Sequence, residues 1–304
     1  MLFLAAIIWG FAFVAQSAGM DYVGPFTFNA VRCLIGSAVL VPVALLWSNK
    51  AGKQESTTIE RQRNPQEKNK ISTWFKNNST LLLGGTLCGL FLGIATNLQQ
   101  IGIMTTTVGK AGFLTALYIV IVPILGMFFK RKCGINVWIG VLCSVVGLYL
   151  LCMTGGVGGI AKGDIYLLAC AILFSFHILV IDCFAPKVNG VWMSCIQFLV
   201  AGILSAILMF ATETPMLDDI WEAKLPILYA GVLSCGVAYT FQILGQKNYN
   251  PTIAVLILSL ESTFSVIGGF LILRETLSGR ELLGCGLMFV AIVLAQLPSP
   301  KSSR

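Results

Sequence analysis

The second half of this sequence repeats the first at low identity, and the repeat limits the folds open to the chain. Residues 99–131 align with residues 242–274 when 143 is added to each number. The identities are Gln99 with Gln242, Gly102 with Gly245, Ala111 with Ala254, Leu117 with Leu260, Ile124 with Ile267, Gly126 with Gly269 and Arg131 with Arg274. A second offset, of 165, aligns earlier segments such as Ala6 with Ala171. The matched segments occur in the same order in both copies, which indicates a duplication.

Each copy consists of apolar segments long enough to cross a membrane. The 304 residues are 57% hydrophobic and only 11% charged, whereas about 25% of residues are charged in a soluble domain. A transmembrane helix needs about 17–25 mostly apolar residues. The pattern therefore predicts an all-α integral membrane protein with ten transmembrane helices. They are placed at residues 1–18, 25–47, 80–102, 106–129, 135–153, 163–184, 190–211, 225–245, 251–273 and 280–297.

The ten segments divide into two sets of five, and the odd number has a topological consequence. We expect residues 1–153 to form the first five-helix repeat, with a polar cytoplasmic loop at 48–78, and residues 163–297 to form the second. Because each repeat crosses five times, the second enters the membrane from the opposite side, and the two are inverted. Inverted repeats around a pseudo-two-fold axis are a common architecture of secondary transporters.

The distribution of Lys and Arg predicts that both termini are cytoplasmic. Of the 20 Lys and Arg residues, fourteen fall in loops and ends that this orientation places inside, and Arg32 falls within a span. The five basic residues that this orientation places on the outer side are Lys110, Lys162, Lys224, Arg274 and Arg280. Basic residues concentrate in cytoplasmic loops, so we expect a multi-pass protein of the cell membrane, taken to be a bacterial plasma membrane. Glutamates interleave the basic loop 50–76, so no nucleic-acid partner is expected.

Common catalytic and metal-binding motifs are absent from the sequence. The ten cysteines form no CxxC pair, and His177 is the single histidine, whereas zinc sites favour close Cys and His groupings. GxxxxGK, GxSxG and HExxH do not occur. We therefore expect no metal, no cofactor and no enzymatic activity. A membrane-embedded lipid-modifying enzyme is the alternative. It would need His or carboxylate groups clustered at one membrane depth, and the candidates here are scattered.

Short motifs along the whole chain resemble the EamA-like branch of the drug/metabolite transporter superfamily. In the first copy they are Trp9-Gly10, Pro25 with Arg32, and the run from Gly109 to Tyr118 followed by Pro123. In the second copy they are Leu260-Glu261, Gly268-Gly269, Glu275 with Leu277-Ser278, and Gly284. The order of these motifs along the chain is a more specific sign of the family than any single motif. The sequence departs from the family pattern at two places. Ser262 stands where the family often has proline, and Lys130-Arg131-Lys132 stands where the family has an acidic motif.

The resemblance implies ten helices in two inverted five-helix repeats around a central cavity. It also implies movement of small metabolites, often amino acids or related compounds, and commonly their export. The predicted function is therefore secondary transport by alternating access. The expected partners are a small-molecule substrate, the lipid bilayer and a possible coupling proton. The sequence does not indicate an oligomeric state.

Polar residues inside the apolar segments are the candidate site residues, because burying them in hydrocarbon is costly. Glu261 lies ten residues after Pro251, which is about 15 Å along a helix and near the middle of the membrane. It is a candidate for proton coupling or for binding a substrate amine, and the alternative is a structural carboxyl. His177 is the second coupling candidate, with a structural role as its alternative. Arg32 either pairs with a substrate carboxylate, or snorkels to the interface or holds a helix end.

The remaining candidates are aromatic and amide side chains. Trp9 either stacks on a substrate or packs between repeats, and Tyr118 occupies the position equivalent to Glu261. Gln99 and Gln242 are equivalents placed near the inner ends of their helices, as a cytoplasmic gate or as bonds between helices. We expect Trp9, Tyr118 and Glu261 to line one central space. The predicted substrate-binding set is Trp9, Arg32, Gln99, Tyr118, Gln242 and Glu261. Lys110 and Glu275 are expected to be interface anchors at outer helix ends.

The proposed orientation can be tested at the 48–78 loop. A cysteine introduced at Gln62, in a background without accessible native cysteines, should resist a membrane-impermeant thiol reagent in intact cells. The same cysteine should react once the membrane is permeabilised, because the loop faces the cytoplasm. Strong labelling in intact cells would reverse the orientation of both repeats.

Overall fold

Helices make up nearly all of the described chain, and no strand occurs in it. The structure is a computed structural model that describes residues 1–55, 78–105, 108–128, 134–152, 162–247, 249–273 and 278–296. A helix satisfies its backbone N–H and C=O groups internally, which hydrocarbon requires because it offers them no partner. The all-helical prediction is confirmed over these residues.

The first half contains six helices among the described residues. They are α1 (Leu2–Gly19), α2 (Pro25–Glu55), α3 (Ser79–Ile103), α4 (Val108–Ala116), α5 (Tyr118–Phe128) and α6 (Ile135–Cys152). The second half contains α7 (Lys162–Phe184), a 3₁₀ turn (Ala185–Lys187), α8 (Gly190–Thr212), α9 (Leu217–Glu222), α10 (Lys224–Leu228), a π-helix (Tyr229–Ala238), α11 (Tyr239–Gln246), α12 (Pro251–Leu258), α13 (Glu261–Leu273) and α14 (Gly279–Gln296).

Eight helical segments of the described chain are long and apolar enough to cross a membrane. They are Leu2–Gly19, Pro25–Leu46, Ser79–Ile103, Ala111–Phe128, Lys162–Lys187, Gly190–Thr212, Lys224–Gln246 and Pro251–Ile272. These coincide with eight of the ten predicted spans. At the other two, the apolar helices Ile135–Leu150 and Leu282–Ala295 are shorter. A total of ten spans therefore stays a prediction. Large apolar side chains such as Phe210 and Leu142 face outward, as lipid contact requires.

Two spans predicted as continuous helices are interrupted at matched positions. The span at 106–129 is divided between α4 and α5 at Leu117, and the span at 251–273 is divided between α12 and α13 at Ser259–Leu260. Leu117 and Leu260 are aligned by the offset of 143. Pro123 lies close to the first break, but no proline lies close to the second, so proline does not explain both.

The predicted span at 225–245 is also irregular. Lys224–Leu228 is α-helical, Tyr229–Ala238 is π-helical and Tyr239–Gln246 is α-helical. π-Helical turns are rare and occur mostly at functional sites. No residue pattern in the sequence predicted this π-helix.

Helix packing repeats between the two halves. Helix α1 packs on α13 and the π-helix, while α7 packs on α5 and α3. These are matched arrangements, because α7 aligns with α1, α5 with α13, and α3 with the segment that contains the π-helix. Helices α2 and α8, which align with each other, pack together, and so do α6 and α14.

A carboxylate from the second half caps the start of α2. Glu213, just after α8, accepts hydrogen bonds from the backbone N–H groups of Phe26 and Thr27 at 2.9 and 2.8 Å, and from the Thr27 hydroxyl at 2.5 Å. The first N–H groups of a helix have no partner within it, and a negative charge there also complements the helix dipole. A Cβ at Gly24 would collide with this carboxylate, so only glycine leaves room for the cap.

Buried polar groups and small residues hold α2, α3 and α8 together. The Asn29 amide donates to Asn97 Oδ1 at 2.9 Å, and the Asn97 amide donates to Ser205 Oγ at 2.9 Å. A Cβ on Gly89 of α3 would lie 2.7 Å from the Gln197 carbonyl oxygen of α8. Small residues let helices approach closely in lipid, where packing drives their association. The structure thus shows close packing along this face of α3.

Substitution of the small residue tests this contact. Gly89→Ala should destabilise the protein by about 1–3 kcal/mol, because the added methyl group meets a backbone atom that cannot rotate away. Gly286→Ala in α14 is the matched control, since a Cβ there meets nothing within 4 Å. Thermal unfolding in detergent should show a lower midpoint for Gly89→Ala alone. Equal midpoints for both variants would contradict the packing described.

Candidate functional site

One buried cavity brings the predicted site residues together. Its lining includes all six predicted binding residues and His177, namely Trp9, Arg32, Gln99, Tyr118, His177, Gln242 and Glu261. The helices that supply them belong to both halves of the chain. Trp9, Tyr118 and Glu261 do lie around one space, as expected. Their roles in binding or coupling stay predictions.

The hydroxyl of Tyr118 donates a hydrogen bond of 2.9 Å to Glu261 Oε1 at the centre of the cavity. The two residues are aligned by the offset of 143, and each is the first residue of the helix that follows a break, α5 for Tyr118 and α13 for Glu261. Both side chains are buried. The bond therefore joins equivalent positions of the two halves, and it holds a carboxyl group that hydrocarbon alone would not solvate.

Aromatic rings form one wall of the cavity. The rings of Trp9 and Tyr239 lie 4.5 Å apart between centroids and are tilted by 58°. Tyr239 also contacts Phe198 and His177 edge to face, at 5.2 and 6.1 Å. The buried indole N–H of Trp9 has no hydrogen-bond partner among the described residues. Trp9 thus packs on an aromatic ring of the second half and also carries a free donor, and its stacking on a substrate stays a prediction.

Arg32 lies on the same cavity and is almost fully buried, with 3% of its surface exposed. Its guanidinium carbon lies 5.5 Å from the centroid of the Phe28 ring, a favourable cation–π distance. Its Nε is buried without a hydrogen-bond partner. The side chain does not snorkel to the interface, because the cavity encloses it.

His177 is fully buried and contacts Gln197. Its Nε2 lies 3.1 Å from Gln197 Oε1, and because that oxygen only accepts, the contact places a proton on Nε2. Nδ1 is buried without a partner in the described chain. One nitrogen thus has a structural bond, and the other is free to accept a proton or a donor group.

Gln99 and Gln242 line the cavity itself. The Gln99 amide donates to Thr115 Oγ1 at 3.4 Å, while Gln242 Oε1 is buried without a partner in the described part of the chain. Their expected place near the inner helix ends stays a prediction. In the topology predicted from the basic residues, span 80–102 would end outside, so the two expectations agree for Gln242 and conflict for Gln99.

The cavity is narrow and combines polar with apolar lining. The volume within it that the centres of water-sized molecules can occupy is only about 40 Å³. Five lining residues have buried polar atoms without partners among the described residues: Trp9, Gln16, Arg32, His177 and Gln242. Buried polar groups are nearly always hydrogen-bonded to protein, water or ligand. The lining therefore suits a polar ligand, and admitting one larger than water requires helices or side chains to move.

Several lining residues were not predicted from the sequence. Gln16 is a polar residue within the first apolar segment, so the criterion that selected Gln99 would have found it. Tyr239 follows the π-helix and Ser234 lies within it, and sequence periodicity gave no sign of either. The two expected interface anchors stay predictions, because Glu275 and the side chain of Lys110 lie outside what the structure describes. Within the described residues, no cluster of His, Cys, Asp or Glu could hold a metal ion.

Many helices long and apolar enough to cross a membrane, packed around a cavity with polar side chains in its lining, define a multi-pass membrane protein. Residues 1–153 and 161–297 match the EamA-like transporter family. The chain belongs to that family, which confirms the resemblance found in the motifs, and it is a membrane transporter.

The chain is similar to two known proteins over nearly its whole length. The chain is similar to an uncharacterized transporter of Archaeoglobus fulgidus, at 28% identity over 97% of this chain and 84% of that protein. It also resembles a protein of known crystal structure, with a TM-score of 0.74 over 100% of this chain and 98% of that chain, at 18% identity. The second comparison concerns the fold alone. The family and the first relative point to a transporter rather than an enzyme.

The central hydrogen bond can be measured with a double-mutant cycle. Tyr118→Phe removes the donor and Glu261→Gln removes the carboxylate, and the two changes should be coupled by about 0.5–2 kcal/mol in unfolding free energy. Tyr229→Phe provides a matched tyrosine control, since the Tyr229 hydroxyl donates to the Ile8 carbonyl, away from Glu261. Denaturant titration in mixed micelles gives the energies. Purely additive effects of Tyr118→Phe and Glu261→Gln would show that the hydrogen bond gains nothing from the charge of the carboxylate.

Proposed function

We propose that this protein is a secondary transporter that moves small polar metabolites through the central cavity by alternating access. The observation that carries the proposal is the set of buried polar groups without protein partners around one cavity at the junction of the two halves. Such groups are costly in a membrane unless a solute or water satisfies them. Transporter sites are typically found near mid-membrane between repeats.

The proposed architecture has ten spans in two inverted repeats, residues 1–153 and 163–297. Three features support it. The packing of α1 and its neighbours recurs for α7, aligned helices pack on each other, and Tyr118 bonds the equivalent Glu261. In this arrangement the pseudo-two-fold axis passes close to that bond. Both termini and the 48–78 loop are cytoplasmic, and the protein resides in the plasma membrane, as the basic residues favour.

The proposed substrates are small metabolites such as amino acids or related compounds, and the proposed direction is export. These proposals rest on the family resemblance. A cavity lined by one cationic and one acidic side chain, Arg32 and Glu261, is compatible with such substrates. The proposed binding set keeps Trp9, Gln99, Tyr118 and Gln242 beside them.

The matched helix breaks supply a mechanism for opening the cavity. A break interrupts the hydrogen-bond ladder, so the two half-helices on either side of Leu117 or Leu260 can change direction with few bonds lost. Discontinuous helices at matched positions are a recurrent feature of transporter sites. We propose that tilting at these breaks opens the cavity alternately to the two sides.

Glu261 is the proposed proton-coupling residue, and His177 is the second candidate. A charged carboxylate at mid-membrane costs about 2.5–3.5 kcal/mol on insertion scales. Protonation removes that cost, so it can favour the arrangement in which the carboxyl is shielded from water. Tyr118 is placed to hold the carboxyl in the shielded arrangement, because its hydroxyl donates to Glu261.

Reconstitution in sealed vesicles tests the proposed function directly. A panel of labelled amino acids is offered with and without an imposed proton gradient, and the recovered label is analysed chemically. A transporter delivers the solute unchanged to the other side. Chemical conversion of a membrane lipid or of the solute by the purified protein would favour the lipid-modifying enzyme instead.

Coupling predicts a distinct phenotype for Glu261→Gln. The substitution keeps the side-chain shape but removes titration, so gradient-driven accumulation should be lost while some downhill exchange remains. Glu222→Gln, which replaces an exposed glutamate of α9, should keep both activities. The measurement is uptake by vesicles with matched protein content.

Two other results would reject the coupling role. Accumulation that still follows the pH gradient in Glu261→Gln would direct attention to His177. Loss of both activities together with loss of folded protein would identify Glu261 as a structural carboxyl.

A further inference from the structure

Arg32 is a buried cation without a counter-ion in the described part of the chain. No described carboxylate lies within ion-pair distance of it, and Glu261, on the same cavity, is bonded to Tyr118 instead. Charged residues within membrane proteins are almost always paired or face a water-filled space. Arg32 thus carries an unpaired charge on the lining of the central cavity, where a ligand can offset it.

A second unused donor lines the same cavity. The indole N–H of Trp9 and the Nε–H of Arg32 are both buried and both lack acceptors among the described residues. Both groups are hydrogen-bond donors only, so an acceptor atom is needed to satisfy each of them. Tyr239, which packs on Trp9, lines the same cavity as Arg32 and Glu261.

We infer that Arg32 and Trp9 form an anion subsite that binds a carboxylate group of the transported substrate. The inference rests on the proposed function, because it assigns chemistry to one part of the same cavity. A carboxylate offers planar acceptor oxygens that match the fork of a guanidinium group. The remainder of the substrate extends past the Trp9–Tyr239 rings toward Glu261.

The charge balance favours a carboxylate over a phosphate. Arg32 is the one basic side chain among the described residues that line the cavity, and Glu261 is the one acidic side chain. A carboxylate carries one negative charge, which Arg32 neutralises. A phosphate monoester carries up to two, and the second would face Glu261 without a cation to offset it.

A set of fluorinated probes tests the subsite without knowledge of the natural substrate. The purified full-length protein in detergent is titrated against 4,4,4-trifluorobutyrate, 4,4,4-trifluorobutylammonium and 3,3,3-trifluoropropylphosphonate, and ¹⁹F transverse relaxation reports binding. The butyrate should show saturable broadening, and the ammonium and phosphonate probes should show at least about tenfold weaker binding. These comparisons use the unmodified protein, so they do not depend on the folding of a variant.

Variants then locate the binding. Arg32→Gln and Trp9→Phe should each weaken trifluorobutyrate binding, Arg32→Gln by about tenfold or more, and Arg32→Lys should restore part of the loss. Arg280→Gln is the matched control, because Arg280 also lies over an aromatic ring, that of Tyr149 at 5.3 Å, but does not line the cavity. Binding by Arg280→Gln should equal that of the unmodified protein.

Three results would overturn the inference. They are no saturable binding of trifluorobutyrate to the unmodified protein, equal binding by folded Arg32→Gln, and equal or stronger binding of the ammonium or phosphonate probe. The relaxation assay needs no transport. If the protein transports cations in vesicles but does not bind trifluorobutyrate, the anion subsite is rejected and the proposed transport function stands. If it binds trifluorobutyrate but transports no solute in vesicles, the transport function is rejected and the anion subsite stands.

Discussion

Every polar group of this chain that lies in the membrane must find a partner inside the protein, and this requirement organises the structure. Backbone groups meet it by forming helices. Side chains meet it locally: Glu213 caps α2, and the Asn29, Asn97 and Ser205 side chains bond one another between helices. Exceptions occur both at the cavity and away from it. Among the described residues, five with unpartnered buried atoms line the cavity, whereas others, such as Ser144 and Gln246, lie outside its lining. At the cavity, a solute can satisfy these groups.

The sequence supported the broad architecture because hydrophobicity in a membrane is a strong and local signal. The apolar segments coincide with helices within a few residues, and the family suggested by motifs such as Trp9-Gly10 is confirmed. The rarity of polar residues inside those segments also made them easy to select. Glu261, Arg32 and His177 were chosen on that basis, and the structure places all three on one cavity. What they do there stays a prediction.

Other features could not be read from the sequence, for physical reasons. The breaks at Leu117 and Ser259–Leu260 contain neither glycine nor proline, so the usual sequence signals of a helix break are absent from them. The π-helix at Tyr229–Ala238 differs from an α-helix only in its hydrogen-bond spacing, which composition does not reveal.

The Tyr118–Glu261 bond has an evolutionary consequence. A dimer of two identical subunits places the same side chain on both sides of its axis. Two facing glutamates would repel each other, and two facing tyrosines would place no acidic group there. Joining the two copies in one polypeptide removes that restriction, because each copy then diverges separately. A donor on one half can meet an acid on the other at the centre of the molecule, an asymmetry that a symmetric homodimer cannot build.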